Sequence, residues 1–265
     1  MILAQLSDPH ICAPGRLLFG RSDTAAALAD AVARLNALPT PPDLAVVTGD
    51  LTDGGLAEEY AEFRRVMAEL EAPFVVLPGN HDRRAALRAA FDGACALPAT
   101  GLLHFVVEDH PVRLICLDSL VEGRGRGELG PEQISWLDRT LDTAPERPTV
   151  IALHHPPFST GIGHVDAVGL ADAADFGAVV ARHPQVERVI AGHAHRAMQR
   201  RWCGTIASTA PSTTHAVALD LRDGAPAAFI YETAGLQLLH WREDLGLVGH
   251  ILPIGSFDGP HSYGP

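Results

Sequence analysis

Five short stretches of the 265-residue chain contain side chains that can bind a metal ion. They are Asp8-Pro9-His10, Gly49-Asp50, Pro78-Gly79-Asn80-His81-Asp82, His154-His155 and Gly192-His193-Ala194-His195. Carboxylate, imidazole and amide ligands without cysteine suit divalent Mn, Fe, Co or Zn rather than copper(I) or an iron–sulfur cluster. Taken singly, each stretch is explained equally well as a turn or as an ordinary surface histidine. The prediction of a metal site therefore depends on whether the fold brings all five together.

Each stretch follows an apolar run with the length and composition of a buried strand. Strands are predicted at Ile2–Leu6, Leu44–Thr48, Phe74–Leu77, Leu102–Val107, Val112–Asp118, Thr149–Leu153, Val186–Ala191 and Ala227–Tyr231. Helices are predicted at Thr24–Leu38, Ala57–Leu70, Arg83–Phe91, Pro131–Thr143 and Ala171–His183. Sites in α/β proteins lie beyond the carboxyl ends of strands, so we expect the five stretches to meet there.

The spacing within the stretches indicates which side chains share a site. Side chains two residues apart point to the same face of an extended segment, which pairs Asp8 with His10 and His193 with His195. The adjacent residues 154 and 155 should diverge, so only one of the two is expected to bind a metal directly. Proline at position 9 favours an extended backbone at Asp8.

The order of the predicted elements indicates a mixed α/β fold. Strands and helices alternate in the first half, which implies right-handed crossovers and parallel neighbours. The sequence Glu108-Asp109-His110-Pro111 separates two strands as a hairpin. After Thr205 the helical pattern fades and strand-like runs lead to a Gly- and Pro-rich end. Without a repeat or a convincing linker, we expect a single domain over residues 1–265.

Composition and charge exclude several classes of protein. A hydrophobic content of 47% is enough to bury a full core, and a formal charge of −12 disfavours binding to a nucleic acid polymer. No apolar run reaches the roughly 20 residues that span a bilayer, and the first residues lack a basic leader. The four cysteines have neither metal-site spacing nor disulfide density. We therefore expect a cytoplasmic protein that does not bind membranes.

In this order, the five stretches resemble the motifs of the calcineurin-like metallophosphoesterase superfamily: D-x-H, G-D, G-N-H-[DE], H and G-H-x-H. Within it, the chain is most similar to the class III cyclic nucleotide phosphodiesterases and the bacterial glycerophosphodiesterases. This closer likeness rests on residues 49–55, Gly-Asp-Leu-Thr-Asp-Gly-Gly, on His154-His155-Pro156-Pro157 and on Thr214-His215. The resemblance covers most of the chain except its C-terminal tail.

The resemblance implies a binuclear metal centre. One ion would be bound by Asp8, His10, Asp50 and His195, and the second by Asp50, Asn80, His154 and His193, with Asp50 bridging. Two such ions, about 3.5–4 Å apart, can hold a hydroxide between them and clamp the phosphoryl oxygens. The implied activity is hydrolysis of a small phosphodiester, a 3′,5′-cyclic nucleotide or a glycerophosphodiester, by this hydroxide.

Further residues are expected around the metals. His81 would face the phosphate, stabilising its charge or protonating the leaving alkoxide, while Asp82 orients His81 or a backbone group. His155 is expected to support a metal ligand from behind, and Asp118 either does the same or is structural. By resemblance, His215 lies near the phosphate. Arg16, Phe19 and Arg21 either line a leaving-group pocket or only tether the helix that follows.

The resemblance also implies a four-layer α/β/β/α sandwich of two mixed sheets flanked by helices. The segment after about residue 205 would complete the second sheet, with part of residues 205–265 forming a cap or a contact in a homodimer or higher oligomer. The alternatives are a phosphomonoesterase or nucleotide-sugar pyrophosphatase of the same superfamily, and a scaffold without catalysis. A scaffold is disfavoured because every metal ligand is intact.

Overall fold

A computed structural model describes residues 1–93, 95 and 97–264 of the chain. The first sheet has the strand order β13-β12-β1-β2-β3. Its strands are β1 (Ile2–Leu6), β2 (Leu44–Thr48), β3 (Phe74–Leu77), β12 (Gly235–Arg242) and β13 (Gly246–Pro253). Strands β1 to β3 are parallel, as predicted, whereas β12 pairs antiparallel with β1 and β13 antiparallel with β12.

The second sheet has the strand order β4-β5-β6-β7-β9-β8. Its strands are β4 (Phe105–Val107), β5 (Arg113–Cys116), β6 (Thr149–Ala152), β7 (Val186–Ala191), β8 (Met198–Trp202) and β9 (Thr205–Thr209). The predicted hairpin is present as the antiparallel pair of β4 and β5. A short separate ribbon pairs β10 (Ala216–Val217) with β11 (Phe229–Ile230).

The helices cover the outer faces of both sheets. They are α1 (Thr24–Asn36), α2 (Ala57–Met67), α3 (Arg84–Ala90), α4 (Gly130–Asp142), α5 (Gly163–Asp166) and α6 (Ala173–Val180). Asp23 starts α1 by accepting a hydrogen bond from the Ala26 N–H, and Pro131 pre-sets the first turn of α4. None of the described helices is both long and apolar enough to cross a membrane.

Three apolar layers hold the elements together. One lies between α1–α3 and the first sheet, one between the second sheet and helices α4 and α6, and one between the two sheets. The predicted four-layer α/β/β/α sandwich is thereby confirmed. The four cysteines are free thiols within these layers or at their edges.

The C-terminal part departs from the sequence prediction. Thr205–Thr209 joins the second sheet, whereas Gly235–Pro253 extends the first sheet, so the expectation that the segment after about residue 205 completes the second sheet is right for β9 and wrong for β12 and β13. The open edge of β1 takes β12 as its antiparallel partner, which buries Leu236 and Leu239. Strands β8, β9, β10, β12 and β13 and helix α5 were not individually predicted.

A row of neutral polar side chains joins the two sheets across the apolar layer. Gln5 of the first sheet donates to the Ala191 carbonyl of the second sheet (2.9 Å) and to Thr48 Oγ1 (3.0 Å). Gln237 donates to Gln5 Oε1 (2.8 Å), and Thr48 Oγ1 lies 2.7 Å from Ser7 Oγ. This polar seam, composed of Gln5, Ser7, Thr48 and Gln237, fixes the position of one sheet against the other.

Two roles were predicted for Asp118, supporting a metal ligand or stabilising the fold. Its contacts match the second. Its fully buried carboxylate pairs with Arg84 Nε at 2.6 Å and accepts hydrogen bonds from the Leu103 and Leu120 N–H groups. The ion pair fastens the start of α3 to the end of β5. A charge with so little access to water depends on its partner.

Replacing Asp118 with Asn should lower the free energy of unfolding by about 3 kcal/mol, because Arg84 then loses its counter-ion in a largely buried position. Urea denaturation of the metal-loaded protein measures this change. Asp244→Asn removes an exposed partner of Arg242 and should cost less than about 1 kcal/mol. Equal effects of the two substitutions would contradict a structural role of Asp118.

Candidate metal centre

The five predicted stretches meet at the carboxyl ends of β1, β2, β3, β6 and β7. Backbone hydrogen bonds tie neighbouring stretches together: Asp8 N–H donates to the Gly49 carbonyl at 3.2 Å and His10 N–H to the Asp50 carbonyl at 3.0 Å. Within the second sheet, Gly192 N–H donates to the His154 carbonyl at 2.9 Å, and between the sheets His193 N–H donates to Asp8 Oδ1 at 3.0 Å. Residues that are far apart in the chain thus surround one buried space.

The first group of ligand atoms comes from Asp8, His10, Asp50 and His195, all within 4.8 Å of one another. His10 Nε2 lies 3.1 Å from His195 Nε2 and 3.5 Å from Asp50 Oδ2. His195 Nε2 lies 3.4 Å from Asp8 Oδ1. This is the set that the resemblance assigns to one ion.

The second group is centred on His154. Its Nε2 lies 3.1 Å from Asn80 Oδ1 and 3.4 Å from Asp50 Oδ2. The His193 ring is 5.1 Å from the His154 ring, centroid to centroid. Asp50 Oδ2 is therefore close to an imidazole nitrogen of each group, the position that a bridging carboxylate needs.

Carbonyl groups fix the tautomers of two histidines. Nδ1 of His154 faces the Thr48 carbonyl at 2.9 Å, and Nδ1 of His195 faces the His215 carbonyl at 3.2 Å. A carbonyl can only accept, so each Nδ1 carries the proton and each Nε2 presents its lone pair to the site. This is how proteins orient metal-binding imidazoles, and the donor set fits divalent cations.

His155 lies beside His154 and His193, and one ring nitrogen of each lies within 4.8 Å of the other two. His155 Nδ1 is 2.8 Å from Ser119 Oγ, and its Nε2 is 3.1 Å from the Gly125 carbonyl. Both ring nitrogens are thereby engaged, although the ring is 4.7 Å from that of His193. Burial lowers the pKa of His155 well below its usual range, so the ring stays neutral. These contacts support a role in positioning His193 rather than in binding an ion.

The electrostatics of the site also fit a cation. Burial alone would raise the pKa of Asp50, but His154 and His10 hold it well below its usual value. Burial opposes a charge on His154, yet the Asp50 carboxylate outweighs it and raises the pKa of this imidazole to about 9. Because its Nδ1 already donates to Thr48, the added proton occupies Nε2, beside Asp50 and Asn80. A metal ion would displace that proton.

The backbone at the ligands is strained. Five of the predicted ligands have positive φ: Asp8 (52°), His10 (46°), Asp50 (48°), His193 (66°) and His195 (50°). Residues with a Cβ rarely adopt this conformation, which persists where tertiary contacts enforce it. The predicted extended backbone at Asp8 is wrong, because hydrogen bonds to Gly49, His193 and Ser212 hold its backbone and carboxylate in a turn. Asp8 and His10 do converge on one ligand group, through left-handed turns instead of strand alternation, whereas His193 and His195 belong to different groups.

Three glycines allow the loops to approach one another. Gly49, Gly79 and Gly192 each precede a predicted ligand, and a Cβ on any of them would overlap a neighbour in the site. At Gly79 it would lie 2.2 Å from Asp50 Oδ1 and 2.3 Å from the Asp50 backbone nitrogen. At Gly192 it would lie 2.2 Å from Ser7 Oγ. The glycines of the motifs are therefore needed for close packing around the ligands.

His81 and Asp82 lie on different sides of the loop after β3. The half-exposed His81 donates from Nδ1 to the Asp53 carbonyl (2.8 Å), and its ring centroid is 4.6 Å from that of His10. The buried Asp82 accepts hydrogen bonds from the Gly79 and Leu51 N–H groups at 2.9 and 3.1 Å. Burial, with a contribution from Asp50, raises the pKa of Asp82 to about 6. Its contacts match the second predicted role, the positioning of backbone groups.

The residues predicted to contact substrate lie at the mouth of the site, at different distances from the metal ligands. His215 is 4.5 Å from the His195 ring, and Phe19 is 5.4 Å from His215. Arg16 pairs with Asp53 at 2.8 Å, and the exposed Arg21 follows in the same loop. Sequence reasoning missed Phe229, which stacks on Phe19 at 4.3 Å, and the role of the Asp53 carbonyl. The one sequence signal for Asp53 was its place in the motif Gly49–Gly55.

The fold and this site define a phosphoesterase. The sequence profile of the calcineurin-like phosphoesterase family matches residues 1–197, so the chain belongs to that family, and the resemblance read from the five motifs is confirmed. A probable glycerophosphodiester phosphodiesterase of Arcobacter nitrofigilis is 38% identical to it, over 99% of this chain and 97% of that protein.

A second relative and one solved structure are also similar to the chain. A cAMP/cGMP dual specificity phosphodiesterase of Mycobacterium tuberculosis is 33% identical, over 96% of this chain and 80% of that protein. A dimetal phosphatase from Danio rerio has a TM-score of 0.62 at 16% identity, covering 96% of this chain and 99% of that structure. The last similarity concerns the fold alone.

Gly79→Ala should abolish metal binding in a folded protein, because the new Cβ would collide with the backbone of Asp50, which cannot move like a side-chain tip. Metal content after dialysis against Mn²⁺, measured by elemental analysis, tests this. Gly163→Ala, at a glycine with open space around it, is the control. Normal metal content in Gly79→Ala would show that the tight packing of these loops is not required.

Proposed function

We propose that the protein hydrolyses small phosphodiesters at a centre of two divalent metal ions. The observation that carries the proposal is the place of Asp50, whose Oδ2 lies 3.5 Å from His10 Nε2 and 3.4 Å from His154 Nε2. One carboxylate oxygen thus faces both ligand groups. Two cations held there would activate water for attack on phosphorus and neutralise the phosphoryl oxygens.

His81 is suited to act on the phosphate itself. Its Nδ1–H is committed to the Asp53 carbonyl, which leaves Nε2 free to face the substrate. Burial works against the charged ring, but the Asp50 and Asp53 carboxylates and the Asp53 carbonyl raise the pKa of His81 above its ordinary value. A protonated Nε2 can donate to a phosphoryl oxygen or to the departing alkoxide.

The side chains of His215, Phe19 and Phe229 would contact the leaving alcohol. Phe19 and Phe229 form a stacked, partly exposed pair, and each lies within 5.6 Å of the His215 ring. Burial and the neighbouring His195 lower the pKa of His215 to about 3, so this ring is neutral. Such a wall suits an alcohol with an apolar or aromatic face. The relatives named above act on glycerophosphodiesters and on cyclic AMP and GMP, and both substrate classes remain candidates here.

The test compares initial rates of the Mn²⁺-reconstituted protein on an aryl phosphodiester and the matched aryl phosphomonoester. A clear preference for the diester is expected, and it would justify assays with cyclic nucleotides and glycerophosphodiesters. A preference for the monoester would contradict the proposal while retaining the metal centre. Turnover of neither ester would favour a pyrophosphatase or a scaffold.

His81→Ala should keep both metal ions and lose about 10²–10⁴-fold in kcat on diesters with poor leaving groups, the usual contribution of a positioned acid. Metal content and kcat are measured on the same preparation. His261→Ala, at an exposed histidine in the tail, provides the control. If His81→Ala has normal turnover of a dialkyl diester, His81 does not protonate the leaving group.

The identity of the two metals, a homodimer or higher oligomer, a role of residues 205–265 as a cap, and a cytoplasmic location stay predictions. Asp82, Arg16 and Arg21 are proposed to support the site through the loops that they hold, since Asp82 bonds to backbone groups and Arg16 to Asp53.

A further inference from the structure

Arg188 of β7 is buried in the space between the two sheets. It shares a face of its strand with Ile190, which belongs to the apolar layer between the sheets, and only 7% of its surface is exposed. Its Nε is buried and has no hydrogen-bond partner in the described part of the chain. Other partly buried arginines of the protein have a carboxylate partner: Arg84 pairs with Asp118 and Arg196 with Glu232.

A cavity of about 260 Å³ adjoins this guanidinium. It is lined by Arg188 together with neutral residues from β8, β9, β12 and β13, among them Gln199, Thr209, Gln237 and Gly249. No carboxylate belongs to the described lining. The cavity also shares no residue with the metal centre, so it is a separate feature of the fold.

Two other polar side chains of the cavity are already engaged, whereas Gln199 is an exposed residue. Thr209 Oγ1 donates to the Arg196 carbonyl at 2.6 Å, and Gln237 Nε2 donates to Gln5 at 2.8 Å. Gly249 leaves room for the guanidinium, since a Cβ there would lie 2.8 Å from Arg188 Nη1. Arg188 is thus the buried side chain of the described lining that has an unused donor.

A buried guanidinium without a partner is unfavourable, and arginine is almost never fully buried unless it is paired. Burial lowers the pKa of Arg188 below its usual value, with Glu187 partly offsetting this, but the group stays protonated at neutral pH. Its planar fork of donors matches the geometry of carboxylate and phosphate oxygens. The cavity is also smaller than the roughly 300–1,000 Å³ of sites for drug-sized ligands.

We propose that this cavity binds a small oxyanion, a phosphate or a short carboxylate, through the Arg188 guanidinium. The anion supplies the hydrogen-bond acceptor that Arg188 Nε lacks, since the neighbouring Glu187 offsets the buried charge only in part and does not bond to this nitrogen. A second copy of the chain could offer a carboxylate to the same group, and the experiment distinguishes that source from a free anion.

The test measures the melting temperature of the Mn²⁺-loaded protein at constant ionic strength in chloride, in phosphate and in succinate. Phosphate would also bind at the proposed metal centre, so the readout is the difference between wild type and Arg188→Met. The melting temperature of wild type should rise more in phosphate or in succinate than that of the variant. The affinity of wild type for the anion that stabilises it should be at least about tenfold higher than that of the variant. The buffer in which wild type melts higher, phosphate or succinate, shows whether the anion is a phosphate or a carboxylate.

Two further variants sharpen the result. Arg200→Met, at an exposed arginine of β8, should respond like wild type. Gly249→Ala keeps the charge but displaces the guanidinium tip, and it should weaken anion binding. In chloride alone, Arg188→Met should melt at the same temperature as wild type or higher, because an unpaired buried charge has been removed.

Two outcomes would overturn the proposal. The first is an equal response of wild type and Arg188→Met to both anions, or a variant that melts lower in every buffer by the same amount. The second is a wild-type oligomer in chloride, seen by sedimentation, that dissociates in Arg188→Met, since a partner's carboxylate would then be the counter-ion.

Discussion

The structure depends on the balance between two buried carboxylates and the imidazoles around them. Asp8 and Asp50 are almost fully removed from water, and each lies within 4 Å of histidine nitrogens. Carboxylates in such a place are stable only beside positive charge, which a proton on His154 or a metal ion can provide. The strained loops, the three glycines and the layered packing all hold these groups at that short range.

Much of the site was predictable from sequence because its chemistry is local. Each stretch carries its own ligands, and strands of predictable type deliver them to one end of the sheets. Gly79 and Gly192 were visible as motif letters, although the overlap that forbids a Cβ there requires the folded loops. The conformation of Asp8 could not be read from Pro9, because contacts with residues about 40 and 185 positions away decide it.

Other features leave almost no trace in sequence. Phe229 reaches the mouth of the site from a strand of two residues, and nothing in its neighbours marks it. The pairing of β12 with β1 joins the two ends of the chain, and the exposed, Gly-containing pattern of β13 is weak evidence for a strand. For Arg188, the charged pair Glu187-Arg188 within the otherwise apolar run Val186–Ala191 was the available signal.

The polar seam between the sheets has a consequence for how the protein responds to acid. The metal ligands come from both sheets, and the seam that sets the distance between the sheets contains amides and hydroxyls only. Gln5, Thr48 and Gln237 do not change charge between acidic and alkaline conditions. The frame around the ligands therefore keeps its dimensions while the histidines and carboxylates gain or lose protons, so acidification should release the metals before it separates the sheets.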